Sequence, residues 1–132
     1  MKLENNRGYL YTEIGGQDTI EKLVDAFYPR VYADPELRPL FEGDIEEIKR
    51  KQRMFLPQFL GGPALYSQEF GPPAMRERHL PFEITPKRAK CWLSCMKEAF
   101  KEVGIHDTPA GKAFYYRLEQ VAEIMVNSPD KG

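Results

Sequence analysis

Residues 71–96 read GPPAMRERHLPFEITPKRAKCWLSCM, and the punctuation in this stretch decides the fold. Thr85-Pro86 is a helix start. Threonine is suited to cap the free N–H groups, and proline at the first helical position gives up an N–H that has no partner there anyway. Behind it Ala89, Trp92, Leu93, Met96, Phe100 and Val103 recur at helical spacing until Gly104 stops the run. Upstream, residues 74–80 predict a short helix closed by Pro81, with Met75, His79 and Phe82 sharing an inward side. His79 is one of only two histidines in the chain, so the functional reading turns on what it does.

The same grammar runs through the rest of the sequence. Thr108-Pro109 repeats the start signal, and Phe114, Leu118, Val121, Ala122 and Met125 form the last apolar stripe. Nearer the N-terminus, Asp18-Thr19-Ile20-Glu21 has the form of a capping box. It opens a helix whose stripe is Ile20, Leu23, Val24, Phe27, Tyr28 and Val31, ended by Ala33-Asp34-Pro35. A short turn, PELRPLF, closes with Leu40 and Phe41. Asp44 is placed to cap a further helix with inward residues Ile45, Ile48, Gln52, Phe55, Leu56 and Phe59. Pro57 falls inside that pattern and predicts a kink or an irregular last turn. Gly61-Gly62-Pro63 is a stop, and the glycines and prolines up to Pro73 predict a loop over 61–73. Strand signals are nearly absent. The expectation is an all-α chain of four substantial helices with short connectors, a single domain over residues 1–132.

Composition narrows the function. Nineteen basic and twenty acidic residues leave a net charge of -1, too balanced for binding driven by phosphate neutralisation, so no nucleic-acid partner is expected. The start, MKLENNRGYLYTEIGG, has no apolar run of signal-peptide length, and no stretch reaches membrane-spanning length. A cytoplasmic protein with no membrane partner is expected. Cys91 and Cys95 share a helix face without forming CxxC, which argues against zinc, and the lack of CxxCH removes covalently attached haem. P-loop, GxGxxG, HExxH and GxSxG patterns are also missing. His106, in the turn at 104–109, is expected at the surface.

Four inward residues are not purely apolar: Tyr28, Gln52, His79 and Trp92, each from a different helix. Taken singly, each could satisfy itself on a backbone carbonyl or a water. One histidine is too little for zinc or non-haem iron, and no nucleophile–base pair accompanies it. Haem needs only one protein ligand, because the porphyrin nitrogens supply the rest. Eight Phe, seven Tyr and five Met could line a site for such a flat apolar group, or could be a plain core.

Larger motifs carry a resemblance. Tyr9 with Ile14-Gly15-Gly16, Phe27-Tyr28, Asp34-Pro35-x-Leu37-x-Pro39-Leu40-Phe41, and Phe59-Leu60-Gly61-Gly62-Pro63-x-x-Tyr66-Ser67 resemble the truncated haemoglobins. Met75-Arg76-x-Arg78-His79-x-Pro81-Phe82-x-Ile84, Trp92-Leu93-x-Cys95-Met96 and Met125-Val126-Asn127-Ser128-Pro129 resemble group II of that family. The resemblance spans residues 9–129. It implies a two-over-two helical sandwich around b-type haem (iron protoporphyrin IX). It also implies His79 as the proximal iron ligand, Tyr28 and Trp92 as distal residues, and Phe41 as an aromatic wedge on the haem face. The position of the distal histidine in longer globins falls at Ile48, and the next inward position at Gln52. Phe55 and Met125 are expected as apolar cofactor contacts, with Lys51, Tyr66 and Arg78 at the edge for the propionates. The implied function is reversible, high-affinity binding of O2 and other diatomic haem ligands. The alternative is redox chemistry on O2, NO or peroxide, fed by a separate reductase, and a haem-free helical interaction module is a third class. The missing distal His/Arg pair weighs against strong peroxidase chemistry. No oligomeric state follows from these residues.

Overall fold

In a computed structural model that describes residues 10–130, every long helix expected from the sequence is present. Tyr9, where the first quoted motif begins, lies outside the described residues, as do the last two positions. Helices run over Gly16–Ala33 (α1), Ile45–Phe59 (α2), Leu65–Phe70 (α3), Met75–His79 (α4), Pro86–Val103 (α5) and Pro109–Met125 (α6), with a 3-10 turn at Arg38–Leu40. No strand occurs among the described residues, and among them no helix is long and apolar enough to cross a membrane. Helix α1 packs on both α2 and α5, and α5 packs on α6. The result is two helix pairs laid over each other, the expected two-over-two arrangement. Ile20, Leu23, Val24, Phe27 and Val31 of α1 meet Leu56, Met96, Phe100 and Phe114 in the core. Each such side chain contributes about 1.5–3 kcal/mol by leaving water.

The two Thr-Pro starts behave as expected. The Thr85 hydroxyl accepts from the Arg88 N–H at 3.1 Å, and Thr108 accepts from the Gly111 N–H at 2.9 Å. Asp44 likewise caps α2, accepting from the Glu46 N–H at 3.0 Å. The expected capping box at Asp18 does not form. Helix α1 starts two residues earlier, behind Gly15 at φ 111°, with no side-chain cap. A Cβ on Gly15 would lie 2.1 Å from the Thr19 hydroxyl, so the close approach and the left-handed turn both require glycine. Asp18 instead sits in the first turn, where its charge favours the helix dipole.

Pro57 is accommodated rather than breaking α2. It has no N–H for the Arg53 carbonyl four residues back. The Gln17 amide of α1 donates to that carbonyl across the helix pair, at 3.3 Å. Gln17 is itself held by the Tyr11 hydroxyl at 3.3 Å and donates to Glu21 at 3.0 Å. The irregular ending expected after Pro57 is present, with the Gly62 N–H returning to the Pro57 carbonyl at 2.8 Å.

The expected loop over 61–73 contains a helix, α3. Six residues do not hold a helix alone, and here the Gln58 side chain holds it. Its carbonyl accepts from the Ser67 N–H at 2.9 Å, and its amide donates to the Ser67 hydroxyl at 2.7 Å. Tyr66 is buried and packs on Phe70 with ring centres 4.9 Å apart.

Candidate functional site

His79 closes α4, a helix of five residues that packs against α6. Its Nδ1 lies 2.6 Å from the Met75 carbonyl, one turn back. A carbonyl can only accept, so Nδ1 carries the proton and the Nε2 lone pair is left free to coordinate. The ring is half-buried. Phe82, expected inward beside it, is instead 44% exposed, and Leu80 is 54% exposed. Pro81 ends the helical register before Phe82, so the spacing that groups Met75 with His79 does not extend to it. The His79 and Phe82 rings remain 6.4 Å apart.

On α1, Tyr28 is buried, edge-on to Phe27 at 4.9 Å and to Phe41 at 6.0 Å. Trp92 of α5 meets the other side of Phe27 at 5.3 Å. Phe27 thus links Tyr28 to Trp92, and Tyr28 in turn packs on Phe41, although the residues come from three different segments. Phe41 is held in place by its own carbonyl, which accepts from the Tyr32 hydroxyl at 2.6 Å. Burial, and to a lesser degree Tyr32, raises the Tyr28 phenol above its ordinary range, so it stays protonated. Its hydroxyl has no hydrogen-bond partner among the described residues. Ile48 packs against the core from α2, and Gln52 one turn on is half-buried.

Phe55 and Met125 face a common cleft of about 330 Å³, bounded also by Phe59, Met75, Val121 and Ile124. It joins α2 and α6 to the helix that carries His79. The three residues expected at the edge, Lys51, Tyr66 and Arg78, meet on α3 and its neighbours. Lys51 lies 5.3 Å over the Phe70 ring, and the Arg78 guanidinium lies 5.4 Å over Tyr66. Arg78 Nη2 also donates to the Phe70 and Pro72 carbonyls at 2.9 and 3.0 Å. These contacts brace α3 against α4. His106 is half-buried and paired with Asp107 at 3.2 Å, away from this group.

One residue near His79 has no local sequence signal. Asn127 donates to the His79 carbonyl at 3.3 Å and to the Phe82 carbonyl at 2.9 Å. The partners are 48 and 45 positions apart in sequence, so only the fold reveals the contact.

The bacterial-like globin family model matches residues 9–127. The chain belongs to the bacterial-like globins. The globin is 48% identical over 115 residues to the group 2 truncated haemoglobin YjbI of Bacillus subtilis, covering 87% of this chain and 86% of that one. The group II truncated haemoglobin of Bacillus anthracis superposes with a TM-score of 0.89 at 49% identity, over 92% of this chain and 93% of that chain. A truncated oxygen-avid haemoglobin from Bacillus subtilis superposes at 0.85 with 48% identity, over 89% and 98% of the two chains. Haem is the cofactor this family implies. The residues present fit it: one imidazole with a free Nε2, an apolar cleft that reaches Met75 one turn before it, and a buried phenol whose hydroxyl makes no hydrogen bond among the described residues.

Proposed function

We propose that this globin holds b-type haem through His79 and binds O2 reversibly with high affinity. The observation that carries the reading is Tyr28: a buried, protonated phenol walled by Phe27 and Phe41, whose hydroxyl makes no hydrogen bond among the described residues. A phenol O–H with no protein acceptor is available as a donor to a polar ligand arriving beside it. The oxygen-avid relative from Bacillus subtilis supports the same reading.

Bound haem would supply an iron centre with one coordination position open to a diatomic ligand. The residues of the chain do the rest. His79 presents Nε2, with the ring orientation fixed by the Met75 carbonyl. Tyr28 donates its O–H, and the Trp92 indole, packed on the same Phe27 ring, offers a second donor in its N–H. Aromatic rings around both donors exclude water, which strengthens each hydrogen bond. Ile48 fills space and carries no titratable group, so it cannot take the proton that peroxide cleavage requires of a base. Gln52 is the polar side chain available on the same helix to orient the tyrosine. Phe41, Phe55 and Met125 supply apolar contact.

Stopped-flow O2 dissociation tests the proposal. Each donor is worth on the order of 1–3 kcal/mol against a partly anionic ligand, and 1.4 kcal/mol is about tenfold in rate. Tyr28→Phe should release O2 at least roughly tenfold faster, and Trp92→Phe should move the rate in the same direction. Unchanged rates in both variants would sink the reading.

A further inference from the structure

We infer that Asn127 is a positioning residue that fixes the height and tilt of His79 towards the iron, an inference that rests on His79 being the axial ligand. Helix α4 is too short to be stable by itself. The chain that follows it, Leu80 to Glu83, is exposed, so burial holds it weakly. The Arg88 guanidinium holds its far end, donating to the Glu83 carbonyl at 2.7 Å, and the end next to His79 is held by a side-chain amide. An asparagine amide has two N–H donors and a carbonyl with two lone pairs, and here all four are used. The two N–H groups go to the His79 carbonyl at 3.3 Å and the Phe82 carbonyl at 2.9 Å. The oxygen accepts from the Ile84 N–H at 3.0 Å and the Ser128 hydroxyl at 2.9 Å. The base of the amide is anchored separately, because the Asn127 and Ser128 N–H groups both donate to the Ile84 carbonyl, at 2.9 and 3.2 Å.

His79 is thus restrained twice. The Met75 carbonyl sets the rotation of the ring, and Asn127 sets the position of the main chain that carries it. The Phe82 N–H closes the same turn onto the His79 carbonyl at 3.0 Å. Only an amide meets this set of partners. An aspartate of equal size could still accept from Ile84 and Ser128, but it would turn a carboxylate oxygen towards two carbonyls.

The test is resonance Raman spectroscopy of the haem-loaded ferrous protein, read at the iron–imidazole stretching band, together with the rate of haem transfer to excess apomyoglobin. In Asn127→Asp and Asn127→Ala the band should shift and broaden, and haem loss should accelerate roughly tenfold. Ser128→Ala keeps both donors and should leave the band where it is. In His79→Gly supplied with free imidazole, adding Asn127→Asp should no longer move the band, because that imidazole is not tethered to the main chain. A band and a haem-loss rate unchanged in both Asn127 variants would overturn the inference, as would a shift that persists with free imidazole. If His79→Gly kept the wild-type band without imidazole, the failure would lie in the ligand assignment itself. If neither Asn127 variant folds, amide exchange in the unaltered protein decides: an Ile84 N–H protected like the first turns of α5 supports the clamp, and a rapidly exchanging one refutes it.

Discussion

Replacing Gln17 by alanine should destabilise the globin, and should do so much less once Pro57 is also replaced. Pro57 strands the Arg53 carbonyl inside α2, and Gln17 answers it from α1 at 3.3 Å. A neutral, partly buried hydrogen bond of this kind contributes about 1 kcal/mol. The Gln17–Glu21 contact at 3.0 Å is an i,i+4 pair on α1, and with the Tyr11 contact at 3.3 Å it adds roughly 0.5 kcal/mol. Gln17→Ala should therefore cost about 1.5 kcal/mol, read as a lower urea midpoint at fixed haem stoichiometry. In Pro57→Ala the helix regains an N–H at the position that serves the Arg53 carbonyl, so Gln17 becomes largely redundant there. The cost of Gln17→Ala should then fall to roughly 0.5 kcal/mol, a coupling of about 1 kcal/mol in the double-mutant cycle. Additivity to within about 0.3 kcal/mol would refute the compensation and leave the continuity of α2 through Pro57 without this explanation.

Three further outcomes follow from particular contacts. Because burial raises the Tyr28 phenol, the stability it contributes is present below its unfolded value near about pH 10 and is lost as pH rises through the folded value. The stability difference between wild type and Tyr28→Phe should thus be flat in the neutral range and fall above about pH 10, by up to about 1.4 kcal/mol per pH unit; a flat curve in strong alkali would contradict it. Gly111→Ala should reverse the usual gain of alanine in a helix, since its Cβ would lie 1.7 Å from the Ile105 carbonyl oxygen; a loss of about 2 kcal/mol or more is expected in thermal melts, and a gain would be incompatible with the packing. Burial first, and the Asp34 carboxylate next, raise both Cys91 and Cys95. Native protein should therefore be alkylated more slowly than free glutathione at the same pH, with Asp34→Asn speeding Cys91; rapid labelling of the native thiols would contradict this.

Where the sequence is legible, the signals are local. Thr85-Pro86, Thr108-Pro109, Asp44 and Gly104 carry their helix boundaries within a few residues, and each holds in the structure. The stripe on α1 reads correctly because 3.6-residue spacing survives whatever caps the helix. Asp18 misleads because a capping box and a glycine turn compete for the same few residues, and the close approach to Thr19 selects the glycines. Helix α3 is hidden because Gln58, which holds it, lies outside the segment that it stabilises. Phe82 reads as inward only while the helical period is carried past Pro81. Of the site, Tyr28, Trp92 and Phe41 are visible as inward aromatics, but the meeting of Tyr28 and Trp92 on Phe27 depends on how α1 packs against α5. Asn127 stands in a quoted motif yet shows no role there, because all its side-chain partners but the adjacent Ser128 lie more than forty positions away.

That distance also sets an order of assembly during synthesis. The rings around Tyr28 are complete once α5 has been made, whereas the amide that fastens the His79 and Phe82 carbonyls comes from beyond the end of α6. A chain still emerging from the ribosome has those rings made while the turn that carries His79 still lacks its amide clamp. If haem is held through His79, its secure capture should be a late event, reserved for a chain whose last turn of helix has already been translated.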